Sequence, residues 1–158
     1  MIAVKPIPDG YRNVTPYLIV ADGAAAIAFY QQAFAASLRL RLDRPDGKIG
    51  HAELVIGDSV IMLADEYPPL AARGPAAYGG SPVGLHLYVE DADAVTARAV
   101  TAGARLVHPI EDKFYGDRSG SIVDPFGHIW HVSTHTEDLS PDELRQRAQE
   151  YMATLKQA

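Results

Sequence analysis

The chain has 158 residues, no cysteine and a formal net charge of −6. The missing cysteines exclude disulfides, thiolate metal sites and a cysteine nucleophile, and the acidic balance argues against a nucleic-acid partner. No apolar run approaches the ~18 residues that a membrane span requires, and Met1 to Pro6 lacks the apolar core of a signal peptide. A cytoplasmic protein with no membrane partner is therefore expected, and the length fits a single domain over 1–158.

Residues 1–12 read as a polar arm. Residues 14–20 are rich in strand formers. Asp22 then caps a helix over 23–36, in which Ile27, Tyr30 and Phe34 recur at helical spacing. Leu38, Leu40 and Leu42 alternate with Arg39, Arg41 and Asp43, the period of a half-buried strand. Pro45-Asp46-Gly47 turns the chain into a strand over 49–56. Gly57-Asp58 is a hairpin turn, and a strand over 59–64 follows. The first unit, about 13–65, thus runs β-α-β-β-β.

Residues 66–82 carry four prolines and three glycines. This stretch exceeds the ~12 residues usual for a structureless connection. It reads as a linker, or else as a flap over a cleft, carrying Tyr67 and Tyr78. The second unit, about 83–136, begins with a strand over 83–89 and a helix over 92–102, capped by Asp91 and closed by Gly103. A strand over 106–110, a loop over 111–116 and a strand over 118–123 come next. After the turn Asp124-Pro125-Phe126-Gly127, the last strand covers 128–134. Ser140-Pro141-Asp142-Glu143 has the pattern of a capping box, opening a helix near 141–156 with an apolar stripe of Leu144, Ala148, Tyr151 and Leu155.

The two units are similar to each other. Val14 to Asp22 lies over Val83 to Asp91 at an offset of 69, and Gly57 to Leu63 over the segment from Gly127 at an offset of 70. One supersecondary unit used twice explains this, and a pair of such half-sheets encloses a cleft where ligands bind.

With the repeat, the run Asp124-Pro125-Phe126-Gly127-His128-Ile129-Trp130 resembles the vicinal oxygen chelate superfamily, over roughly residues 12–136. That group includes glyoxalase I, extradiol dioxygenases, fosfomycin-resistance enzymes and bleomycin resistance proteins. Phe114 to Gly120 and Thr134 to Pro141 are similar to a bacterial glyoxalase/bleomycin-resistance-like subgroup. The fold this implies is α+β: two β-α-β-β-β units forming curved mixed sheets around a cleft, plus a C-terminal helix. The resemblance also implies a homodimer, because such proteins close their clefts by pairing units. The apolar stripe of the last helix agrees with that.

Metal-dependent members hold a divalent ion with His, Gln or Glu from the first and last strand of each unit. Carried over, those positions fall on Thr15, Gly84, Ile61 or Met62, and His131. Three of the four offer no strong donor, and a divalent site needs three or four. The expectation is a metal-free cleft without a cofactor. The alternative is one divalent metal in a shifted register, held by His86 and His131 with Glu53 or His51, in a lyase or dioxygenase of the glyoxalase type. A metal-free enzyme with His86 or His131 as general base is a third possibility.

Alternation places Gly84, His86 and Tyr88 on one strand face, and gives Trp130 the opposite parity to His131. Trp130 is therefore expected in the core. The residues expected to bind a small organic molecule are Thr15, Tyr17, His86, Tyr88 and His131. His128 reads as a turn residue, His51, His108 and His135 as surface or strand-end residues, and Asp117-Arg118 as a local ion pair.

Overall fold

Just past the first strand of each unit, an aspartate caps the helix that follows. Asp22 accepts a hydrogen bond from Ala25 N and Asp91 one from Ala94 N, both at 2.9 Å. These satisfy N–H groups that a helix start leaves without partners. The computed structural model describes residues 4–155. The first unit comprises β1 (Tyr17–Val20), α1 (Gly23–Phe34), β2 (Ser37–Asp43), β3 (Ile49–Ile56) and β4 (Ser59–Asp65). The second comprises β5 (Gly84–Tyr88), α2 (Ala92–Thr101), β6 (Arg105–Asp112), β7 (Asp117–Val123) and β8 (Ile129–His135), and α3 (Pro141–Leu155) follows. The strand orders are β1-β4-β3-β2 and β5-β8-β7-β6. In each sheet the first and last strands of the unit pair in parallel and the other pairs are antiparallel. The fold is the α+β arrangement of two β-α-β-β-β units with mixed sheets and a C-terminal helix.

Several boundaries differ from the pattern of the sequence. Strand β1 starts only after Pro16, which has no N–H to donate to a ladder. Helix α1 stops at Phe34 because Ala35 turns left-handed, with φ 54°. Strand β6 runs on to Asp112 and pairs there with Arg118, so the loop is shorter than expected. The largest difference is β2, which is exposed along its whole length. Leu40 and Leu42 are 39% and 53% exposed, although their alternation with charged residues predicts one buried face. Strand β2 is the sheet's edge, and Leu40 and Leu42 lie opposite Glu53 and His51 on the open face, where none of the described elements covers them.

Each sheet buries one face against its helix, and the two helices pack on each other. Leu18, Leu54 and Leu63 from the first sheet and Ile122, Trp130 and Val132 from the second share one core with Phe29, Tyr30 and Phe34 of α1. At its centre lies Asp124, 3% exposed. Its carboxylate accepts hydrogen bonds from Tyr30 Oη (2.6 Å), Trp130 Nε1 (3.0 Å), Phe126 N and His128 N (both 2.9 Å). Burial first, and then the Asp124 charge, push the Tyr30 phenol well above its ordinary pKa.

Helix α3 starts with a complete capping box. Glu143 N donates to Ser140 Oγ (3.3 Å), and Ser140 N donates to Glu143 Oε2 (2.9 Å). Tyr151 stacks on Phe114 at 4.9 Å, and Arg147 holds Glu137 through two bonds. Leu144, Met152 and Leu155 remain exposed. Among the described residues no helix is long and apolar enough to cross a membrane.

Removing the Asp124 carboxylate would leave the Tyr30 hydroxyl and the Trp130 indole N–H buried without acceptors. Asp124→Ala is expected to cost ~3–5 kcal/mol, and Tyr30→Phe, which removes one donor only, ~1–2 kcal/mol. Urea denaturation of the two variants checks this. Equal losses would show that Asp124 does no more than pair with Tyr30.

Candidate functional site

Strand side chains alternate between faces. Because Trp130 is buried under α1, His131 beside it emerges on the opposite, open face of the second sheet. Strand β5 pairs with β8 so that His86 sits opposite His131 and Tyr88 opposite Ser133. The rings form a row. His86 stacks on Tyr88 with centroids 4.7 Å apart and planes 26° apart, and His131 lies 6.0 Å from His86 at 35°. Tyr88 is 60% exposed, so the row faces solvent. Buried hydroxyls lie beside it, with Ser133 Oγ donating to Ser119 Oγ at 2.6 Å.

Gly84 decides how close His131 can lie. A Cβ at Gly84 would stand 2.6 Å from His131 Nε2, so a side chain there and this ring position exclude each other. The imidazole occupies the space into which a residue-84 ligand would project.

A hydrogen-bonded chain runs from the end of the row. Tyr88 Oη donates to Asp117 Oδ2 (2.8 Å). Asp117 Oδ1 is 2.8 Å from His135 Nδ1, and His135 Nε2 is 3.0 Å from Asp138 Oδ1. Asp117 is buried and Arg118 points the other way, to Asp93 and Asp112. The expected Asp117-Arg118 pair is therefore absent, because neighbours along a strand face opposite sides. His135, which ends β8 as expected, is also a partner of the buried Asp117. The hydrogen bond to Asp117 and then the one to Asp138 raise the His135 pKa. His86 is lowered by burial and by His131, against a smaller raising effect of Asp117. Tyr88 is raised chiefly by its bond to Asp117.

Tyr17 lies elsewhere, on the open face of the first sheet. Its hydroxyl is 3.5 Å from His51 Nδ1, and His51 Nε2 is 3.2 Å from Glu53 Oε1. Glu53 also pairs with Arg39 at 3.6 Å. A hydrogen bond with Tyr11 is the main cause holding its carboxyl below the ordinary range. The sequence reading of His51 as a surface residue missed this cluster. The signal available was the shared parity of His51 and Glu53. Thr15 lies before β1 and lines a cavity of about 490 Å³ at the junction of the units, together with Phe34, Asp58, His86, Tyr88 and Trp130. The chain thus gathers His86, Tyr88 and His131 on one face, brings Thr15 to its edge and places Tyr17 on the other sheet. His128 is more than a turn residue, since its Nε2 donates to Ile19 O across the units (3.0 Å).

Register resolves which residue corresponds to His131. Tyr17 pairs with Met62 as His86 pairs with His131, while Ile61 is buried on the helix side. Met62 is therefore the equivalent position, and its thioether is at most a weak donor to a hard divalent ion. Among the described residues, no three His, Asp or Glu side chains are grouped so as to hold a metal ion. The donors on the open faces do not make up the three or four that a divalent ion needs.

Residues 12–132 match the model of the Glyoxalase/Bleomycin resistance protein/Dioxygenase superfamily, and the chain belongs to that family. A Mycobacterium tuberculosis protein is 42% identical over 135 residues, 84% of this chain and 79% of that protein. Among solved structures, an Arabidopsis thaliana gene product superposes with a TM-score of 0.63 at 28% identity, covering 78% of this chain and 98% of that one. TioX from Micromonospora superposes with a TM-score of 0.62 at 27% identity, with the same coverage.

The two perturbed histidines should titrate on opposite sides of the ordinary value of about 6.5. NMR of the imidazole protons is expected to place His86 below it and His135 above it, and Asp117→Asn to lower both. The linked effects on stability oppose each other. The His135 contribution is full below about pH 6.5 and is lost as pH rises through its folded pKa. The His86 contribution is full above about pH 6.5 and is lost as pH falls through its folded pKa. A His135 titration unmoved by Asp117→Asn would contradict the hydrogen-bonded chain.

Proposed function

We propose that the protein binds a small organic molecule carrying a planar ring on the open face of the second sheet, without a metal ion. The observation that carries this reading is the row His131, His86 and Tyr88, with the His131 imidazole lying over Gly84. Aromatic and imidazole faces in line offer stacking area. The Asp117-held phenol of Tyr88 offers an exposed oxygen that fixes orientation. The depressed His86 pKa favours a neutral ring at physiological pH, which suits stacking with an uncharged or cationic ligand. Sequestration of an antibiotic, the role for which part of the family is named, is one form of this function. Two uncovered sheet faces and the exposed stripe of α3 support a homodimer in which a second copy closes the cleft.

Titration of a panel of aromatic metabolites and bleomycin-type drugs, with and without a chelator, tests the reading. Binding is expected to be indifferent to the chelator. Tyr88→Ala is expected to weaken it by ~0.5–1.5 kcal/mol beyond the lost area, and His131→Ala by ~1 kcal/mol. Binding abolished by the chelator and restored by nickel, zinc or iron would replace this reading with a metal-dependent lyase or dioxygenase. Light scattering at micromolar concentration is expected to give twice the 17.1 kDa chain mass, and the monomer mass would count against the shared cleft.

A further inference from the structure

The segment between the two units is built, not slack. Glu66 Oε1 accepts a hydrogen bond from Gly74 N at 2.7 Å, and Tyr67 N donates to Ala72 O at 2.8 Å. A short 3-10 turn over Pro75–Tyr78 follows. Pro75 is buried against the turn that opens β8, so closely that a Cβ at Gly127 would come within 2.8 Å of its Cβ. Held at these points, the segment walls a cavity of about 750 Å³ against β1, lined by Tyr17, Ile19, Arg73, Pro75, Tyr78 and His128, with Gly79 to Pro82 at its rim. That volume is of the order of known small-molecule sites.

The chemistry of the lining is uneven. Tyr17, Tyr78, Ile19 and Pro75 give apolar and aromatic surface. His128 already donates its Nε2 proton to Ile19 O. The charge is Arg73. Before it in the chain, Arg12, Arg39, Arg41 and Arg44 each pair with an acid within 4 Å. Among the described residues no carboxylate pairs with Arg73, on a chain whose net charge is −6. A guanidinium without a counter-ion, beside two tyrosine rings, presents a planar fork that matches a carboxylate.

Tyr17 adds a polar tip. Its hydroxyl lies 3.5 Å from His51 Nδ1, and a phenol can both donate to and accept from a ligand.

We propose that this cavity is a second ligand site, separate from the ring row of β5 and β8, and that it takes a small aromatic carboxylate. The ring lies against Tyr17 and Tyr78, and the carboxylate pairs with Arg73. The site does not depend on the reading given above for the second sheet.

Calorimetric titration of naphthylacetate and its neutral counterpart naphthylacetamide tests it, against the wild-type chain and its Arg73→Ala, Arg73→Lys and Tyr88→Ala variants. The acid is expected to bind at least ~10-fold more tightly than the amide, the scale of one charge-assisted pair. Arg73→Ala should bring the acid down to the level of the amide and leave the amide unchanged. Arg73→Lys should restore part of the difference, and raised salt should weaken the acid alone. Tyr88→Ala should leave the advantage of the acid over the amide intact, which separates this site from the one on the second sheet. Equal affinity of acid and amide, an acid affinity unmoved by Arg73→Ala, loss of the acid's advantage over the amide in Tyr88→Ala, or no saturation at millimolar acid would each overturn the proposal.

Discussion

One buried carboxylate sets the geometry of everything else. Asp124 sits in the turn before β8 and accepts from the phenol of α1, from the indole of β8 and from two amides of its own turn. Burying an unpaired charge would cost several kcal/mol, whereas four donors with good geometry offset that cost. The result is a junction between the helix of one unit and the last strand of the other. It holds Trp130 on the core side and so fixes the phase of β8. His131 faces outward because Trp130 is anchored inward. The position of the ring row is thus a consequence of the core.

The first unit uses a buried carboxylate differently. Asp65 ends β4 and accepts from Gly23 N at 2.8 Å and Ile49 N at 2.7 Å. It ties a helix start to a strand start inside one unit, and nothing from the other unit reaches it. The two units share a topology and a register, yet only the second contributes the clamp that joins them.

This asymmetry explains what could be read from the amino-acid order. Local signals were strong: the aspartates before both helices, the capping box at Ser140 and the hairpin at Gly57 all act within a few residues. The internal offset predicted the topology, and the opposed parity of Trp130 and His131 held because alternation along a strand is rigid. Burial was legible only where the chain itself supplies the covering layer. Leu40 and Leu42 have the right period, but among the described residues they stay exposed. Side-chain partners across strands were not legible. Asp117 chooses Tyr88 and His135, and Arg118 chooses Asp93, because cross-strand neighbours and helix starts are set by register and not by sequence proximity. His51 and Glu53 became a cluster only once β3 lay beside β4 and Tyr17 came within reach.

Comparison of equivalent positions shows how one unit, used twice, came to present two chemistries. Tyr17 and Met62 occupy the places of His86 and His131, since both pairs lie opposite each other on the parallel strands. On the neighbouring strands, Glu53 stands opposite Met62 and Ser121 opposite His131. Imidazoles therefore lie on the paired first and last strands of the second unit with a hydroxyl beside them, while the first sheet has a carboxylate beside a thioether and an aromatic ring. In the second sheet the ring of His131 extends over Gly84, and a side chain at 84 could not share that space. In the first sheet the thioether leaves Glu53 to pair with His51 and Arg39. Neither face concentrates three strong donors at one point, and each offers rings. On both faces the rings stand exposed while the charges pair with partners within the chain.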